Sequence, residues 1–307
     1  TGTPLTNIHV ALMTADPGYE NRLKGLGNDA LVRALLEGDW DIIEGAFFSE
    51  FSMRRHVVEP FSIPDHWMRF RSGDWGSARP FSIGWWAVAS EQVTVAGAGG
   101  RHKVTIPRGA IIRYREWYGA KKPNEGLKLH ADAVARGIKE REIKDTVKPT
   151  YRVLDPAAFA EDGGESIAQA MAREKVTFRP ADNARVSQRG AMGGWDQLRS
   201  RLKGDEDGNP MVVCFSTCVD SIRTIPVLQH DKDRAGESED LDTDMEDHAA
   251  DDELVRPRHR TLDPRVELRL AEPVAVAVPV MFVCVVPSSA YEPVSVELIQ
   301  YCFVEVT

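Results

Sequence analysis

The stretch Trp67-Met-Arg-Phe-Arg-Ser-Gly-Asp74-Trp-Gly-Ser-Ala-Arg-Pro-Phe-Ser-Ile-Gly-Trp-Trp-Ala-Val88 constrains the chain more than any other. Two strand-like runs, Trp67 to Arg71 and Phe81 to Val88, flank a turn rich in Gly and Pro. Ala110 to Tyr118 reads as a third strand, and Gly97, Gly99 and Gly100 before it read as a hairpin tip. Three consecutive strands with short connections favour an antiparallel meander. Asp74 falls where the first run ends. A strand end holds a side chain rigidly yet leaves it open to solvent, which suits a metal-binding carboxylate. The plainer alternative is a turn-forming Asp. Gly73 and Gly76 beside it allow a backbone or a ligand to come close.

Downstream the pattern changes to alternating helices and strands. A helix is expected from about Asn124 to Glu142, with Leu127, His130, Val134 and Ile138 at helical spacing and His130 packed on the apolar stripe. Tyr151 to Leu154 is a short strand stopped by Asp155-Pro156. A helix around Glu165 to Arg173, a run Val176 to Phe178, a helix over 184–203, a buried strand Met211 to Phe215 and a helix Thr217 to Val227 follow. The succession describes an α/β domain with a mixed sheet: an antiparallel three-strand meander plus parallel strands, flanked by helices. Asn28 caps an expected helix from Asp29 to Glu37. The organisation is then a lead-in over 1–60, a domain over 61–256 and a Val- and Pro-rich tail over 257–307. The apolar run Val274 to Val286 is too short for a bilayer and contains Pro279, so no membrane association is expected.

Charge decides which partners to consider. The chain carries a net −9, but residues 231–253 hold 12 acidic and 2 basic side chains, which leaves +1 for everything else. Basic residues cluster over 101–122 and 185–203, patches able to follow a phosphate backbone or simply to be solvated. The acidic run ends in Asp244-Met-Glu-Asp-His-Ala-Ala-Asp-Asp-Glu253, where Asp247, His248 and Asp251 share one side of a helix. A solvated acidic helix start is the plain alternative. Neither a phosphate-binding G-x-x-x-x-G-K-[ST] loop nor a G-x-G-x-x-G motif occurs. Cys214 and Cys218 are spaced CxxxC without a second pair, so they read as small core residues rather than zinc ligands. Four Cys and no signal peptide point to a reducing cytoplasm.

Asp74 and Asp155 at two strand ends and Asp251 on a later helix make an all-oxygen set suited to Mg²⁺ or Mn²⁺. That strand order and carboxylate placement look like an RNase H-like nuclease. Three further segments, Glu37-Gly-Asp-Trp-Asp-Ile-Ile-Glu-Gly-Ala-Phe-Phe48, Gly73-Asp-Trp-Gly-Ser-Ala-Arg-Pro-Phe81 and Asp247-His-Ala-Ala-Asp251, resemble the C-terminal nuclease half of tailed-phage terminase large subunits. The resemblance runs from about Asp16 to Glu253. It implies two-metal endonuclease chemistry on concatemeric double-stranded viral DNA in the host cytoplasm, with terminase small subunit and portal protein as partners. It implies that Asp74, Asp155, Asp251 and Asp247 are metal ligands and that His248 stands beside them as a catalytic residue. His248 then ligates a metal or holds the attacking water, or else it caps or packs its helix. The ATPase half of that family has no counterpart here, so ATP hydrolysis is not expected. The family's Arg-Tyr after the last catalytic Asp is not recognisable in Asp252-Glu-Leu-Val-Arg256. A non-catalytic terminase fragment that binds DNA or the portal is the alternative function, and a junction resolvase or transposase a third.

Overall fold

A computed structural model describes residues 46–254 apart from 162, 183, 188–191, 231–240 and 243–244. The expected helix over 29–37, most of the lead-in and the 257–307 tail lie outside the described residues.

The strands are β1 (Val57–Val58), β2 (Arg69–Asp74), β3 (Ser82–Val88), β4 (Val93–Ala96), β5 (Lys103–Ile106), β6 (Ile111–Tyr118), β7 (Ala120–Lys122), β8 (Glu125–Gly126), β9 (Tyr151–Leu154), β10 (Arg179–Pro180) and β11 (Val212–Phe215). The helices are α1 (Met53–His56), α2 (Ala131–Glu142), α3 (Ile167–Arg173), α4 (Gly194–Lys203), α5 (Val219–Thr224) and α6 (His248–Leu254). One sheet, in the order β1-β11-β6-β3-β2-β9-β10, forms the centre. The expected meander is β2-β3-β6, paired antiparallel, and β9 and β11 add parallel strands on either side of it.

Every residue of β2 and β3 is buried, which requires cover on both faces of the sheet. The pleat divides β3 between two cores. Ile83 and Trp85 pack with Val134, Ile138 and Met171 from α2 and α3. Trp86 and Val88 pack with Trp195, Leu198 and Ala250 from α4 and α6. Gly97 to Gly100 turn the β4–β5 hairpin, with Gly99 at φ 74° in the left-handed region that glycine enters without strain. Cys214 and Cys218 are free thiols buried in the core.

Three expected elements are corrected. The helix placed from Asn124 starts at Ala131, because residues 120–126 form the β7–β8 hairpin. Asn124 has φ 57° and Lys128 φ 56°, and neither conformation continues a right-handed helix. His130 therefore stands exposed at the helix entrance instead of packing on an apolar stripe. The helix placed over 184–203 begins at Gly194. The Val176 to Phe178 run is not a strand; Arg179–Pro180 pairs with β9 instead.

Candidate active site

The site is built at the C-terminal ends of two parallel neighbours, where open sheets expose side chains to a ligand. β2 and β9 run in register from Phe70 opposite Tyr151, and the Asp155 amide donates to the Gly73 carbonyl at 3.0 Å. Asp155 therefore stands level with Asp74 across the strand pair. Its Oδ1 accepts from the Ala157 amide at 3.3 Å, which caps the turn that Pro156 begins. Across the meander Asp74 pairs with Ser82, and Ser82 with Tyr118.

Helix α6 brings the remaining carboxylates. It lies across β2 and β3. Asp252 anchors it from below: its Oδ2 meets Arg113 Nη2 at 2.9 Å and accepts from Ser82 Oγ at 3.1 Å, all three side chains being fully buried. A Cβ on Gly84 would sit 2.7 Å from that same Oδ2, so glycine is what lets the helix come down onto β3. Asp247 opens α6, its carbonyl accepting from the amides of Ala250 and Asp251 at 2.8 and 2.9 Å. Glu246 before it is held by a buried two-pronged ion pair with Arg223. His248, the first residue of α6, places Nδ1 2.9 Å from Asp74 Oδ2, so one proton is shared between imidazole and carboxylate. His248 Nε2 is buried without a hydrogen-bond partner among the described residues.

The electrostatics follow from this crowding. Burial pushes the Asp74 carboxyl well above the usual carboxylate range, and the negative charges of Asp155, Asp247 and Asp252 push it further. Asp251 is raised by burial and then by Asp247 and Asp74, with Asp155 adding to it. Asp247 is raised chiefly by burial, and burial lowers the His248 imidazole. Asp74, Asp155, Asp247 and Asp251 thus lie in one another's fields, and each would be stabilised as an anion by an added cation. Arg185 already brings one positive charge. Its Nη2 contacts Asp251 Oδ2 and lies 3.8 Å from Asp247 Oδ2. As placed, no three His, Cys, Asp or Glu side chains among the described residues close up into a ready-made cation site. The donor set itself, carboxylate oxygens plus an unpartnered imidazole nitrogen, fits a hard divalent ion.

The plain alternative for the end of the acidic run, a solvated helix start, does not hold: Glu246, Asp247, Asp251 and Asp252 are all buried. Arg113, Arg185 and Asp252 were missed as site residues, the two arginines because they count as basic surface in a linear reading. Arg113 carried a signal, a lone charge between Ile111-Ile112 and Tyr114 in a strand that must be buried. The basic patches divide accordingly. Arg101, Lys103, Arg108, Lys121 and Lys122 are exposed, whereas Arg113 is internal and Arg115 pairs with Asp145 at 2.7 Å.

A mixed sheet with an antiparallel meander, parallel strands beside it and helices on both faces is an RNase H-like architecture. In its particulars the fold is similar to part of a phage large terminase. The large terminase of a thermophilic bacteriophage superposes with a TM-score of 0.50 at 15% identity, over 76% of this chain and 49% of that one. The nuclease domain of the P22 large terminase gives 0.47 at 14% identity, over 68% of this chain and 89% of that one. The large terminase nuclease of thermophilic phage G20c with bound cobalt gives 0.41 at 9%, over 69% and 96%. The chain thus spans about half the length of the first of these proteins. No protein-family model and no curated protein matches the sequence. No helix among the described residues is long and apolar enough to cross a membrane.

Proposed function

We propose that this chain is a divalent-metal-dependent endonuclease of the terminase type, acting on double-stranded DNA during viral genome packaging. The observation that carries the reading is the convergence of Asp74, Asp155, Asp247 and Asp251 from two strand ends and one helix, with the carboxyls of Asp74 and Asp251 raised first by burial and then by their neighbours' charge. Asp74, Asp155 and Asp251, with Asp247 beside them, would hold Mg²⁺ or Mn²⁺, two ions in the terminase scheme. Divalent ions there supply Lewis-acid stabilisation of phosphodiester charge and a lowered pKa for a nucleophilic water. The protein's own part is positional. Arg113, Ser82 and Asp252 fix α6 on the sheet, so Asp251 and His248 keep their places relative to Asp74. With Asp74 ionised, the shared proton resides on His248 Nδ1, which leaves Nε2 a lone pair to accept from water. The exposed basic side chains at 101–108 and 121–122 would follow the DNA backbone without reading bases, so affinity falls steeply with salt. The small subunit and the portal are the expected protein partners.

One observation favours the second reading, a DNA- or portal-binding terminase fragment that does not cut: Arg185 stands against two of the proposed ligands. A plasmid assay with Mn²⁺ separates the two. The first reading expects nicking and linearisation by the parent chain and at least a roughly 100-fold loss in Asp74→Asn, whose melting temperature in EDTA holds or rises as like-charge repulsion is relieved. A parent chain that retards DNA but leaves it uncut supports the second reading. Equal cutting by parent and variant removes Asp74 from the site.

A further inference from the structure

Arg185 reaches the carboxylate cluster from a segment built to deliver it. Residues 184 to 187 lie against the start of α4: the Gly194 amide donates to the Ala184 carbonyl at 2.8 Å and the Trp195 amide to the Arg185 carbonyl at 3.0 Å. A Cβ on Gly193 would stand 2.3 Å from Ser187 N and 2.6 Å from the Arg185 carbonyl, so only glycine admits this approach. The Gly193 amide donates to Ser187 Oγ at 2.8 Å, and Ser187 in turn bonds Asp196. The guanidinium carbon lies 5.7 Å from the centroid of the buried Trp195 ring, which steers the side chain toward α6. At its far end Nη2 takes Asp251 Oδ2 and approaches Asp247. The Arg185 side chain keeps 32% of its surface exposed, while those of Asp251 and Asp247 keep 12% and 4%. The arginine is thus the more solvent-exposed partner of the pair.

A guanidinium and a divalent ion compete at Asp251 Oδ2: the oxygen has a second lone pair, but two cations held at contact distance on one buried carboxylate repel each other strongly. We infer that Arg185 is the counter-ion of the metal-free site, displaced from Asp251 when a divalent cation enters, and that it thereby sets the cation concentration at which the site fills. The inference rests on the metal-site reading above. It assigns Arg185 to control of metal affinity and takes it out of the basic DNA-following surface.

The test is Mn²⁺ binding to the full chain by titration calorimetry, compared across the parent, Arg185→Gln and Asp251→Asn. Arg185→Gln is expected to bind Mn²⁺ roughly tenfold more tightly than the parent, since binding no longer has to break an ion pair. In EDTA it melts below the parent, because the carboxylates lose their neutralising charge, and Mn²⁺ raises its melting temperature by more than it raises the parent's. Parent-like or weaker Mn²⁺ binding by Arg185→Gln, with Asp251→Asn impaired, overturns the inference and leaves the metal site standing. Equal binding, or none, by parent and Asp251→Asn removes the metal site and the inference with it. A measurement on the parent alone covers a variant that does not fold. Mg²⁺ titration should release the Arg185 Nε–H signal in ¹⁵N NMR to fast exchange with water, and a signal that stays protected at saturating Mg²⁺ overturns the inference.

Discussion

Arg113 and Asp252 form an ion pair 2.9 Å long in which neither side chain has any solvent exposure. One residue is on the interior strand β6 and the other on α6, so this contact welds the helix that carries His248 and Asp251 to the sheet that carries Asp74. The same guanidinium donates to Ser82 Oγ at 3.1 Å and to the Ala249 carbonyl at 3.3 Å. Removing one member of a buried pair leaves an uncompensated charge. Arg113→Met should cost about 3–5 kcal/mol in urea unfolding, whereas Arg113→Met combined with Asp252→Leu should recover much of that loss. A single variant within about 1 kcal/mol of the parent would show that water or another group neutralises Asp252.

Which parts of this were legible in the sequence follows from the range of the interactions. The strand-end positions of Asp74 and Asp155 were readable because each closes a strand whose pattern is local. Asp247, His248 and Asp251 were readable because helical spacing alone puts them on one side. The partner choices were not readable. Asp251 and Asp252 are adjacent and chemically identical, yet one faces Arg185 and the other Arg113, and only the placement of α6 over Gly84 decides between them. The helix expected from Asn124 failed for a related reason. Its apolar spacing was adequate, but the β7–β8 hairpin, which returns toward the 77–79 turn through the Gly126 amide bonding the Ala78 carbonyl at 2.7 Å, claims those residues first.

A second prediction concerns acid stability away from the site. His56 is buried between α1 and α4, with Nδ1 accepting from the Ser52 amide at 2.8 Å and Nε2 donating to the Leu202 carbonyl at 2.9 Å. That arrangement requires the neutral ring, and burial lowers its pKa from 6.5 to about 4, with Arg55 adding to the shift. The unfolded chain therefore takes up the proton first. The stability His56 contributes is present above pH 6.5 and is lost as pH falls from there toward 4, by about 3 kcal/mol in all. Urea midpoints at about pH 7 and pH 5 should converge in His56→Gln relative to the parent. An unchanged pH slope would assign the acid sensitivity to other groups.

The last prediction separates two uses of His248. Its Nδ1 is committed to Asp74 at 2.9 Å, and its Nε2 is buried without a partner among the described residues. An imidazole that merely capped or packed α6 would have no reason to bury an unpaired nitrogen, since leaving one unmade costs about 1–3 kcal/mol. The cost is recovered if a cation or a water fills Nε2 in the proposed nuclease. His248→Ala should therefore slow plasmid cleavage roughly 100-fold, with the melting temperature in EDTA nearly unchanged because an unsatisfied buried group is removed along with a good hydrogen bond. A Mn²⁺ titration of the rate tells the two uses apart. If Nε2 ligates metal, the variant's rate recovers as Mn²⁺ is raised; if it holds the attacking water, the deficit persists at saturation. Cleavage at the parent rate under limiting Mn²⁺, where any loss of metal affinity is most visible, would reduce His248 to a structural residue that orders Asp74.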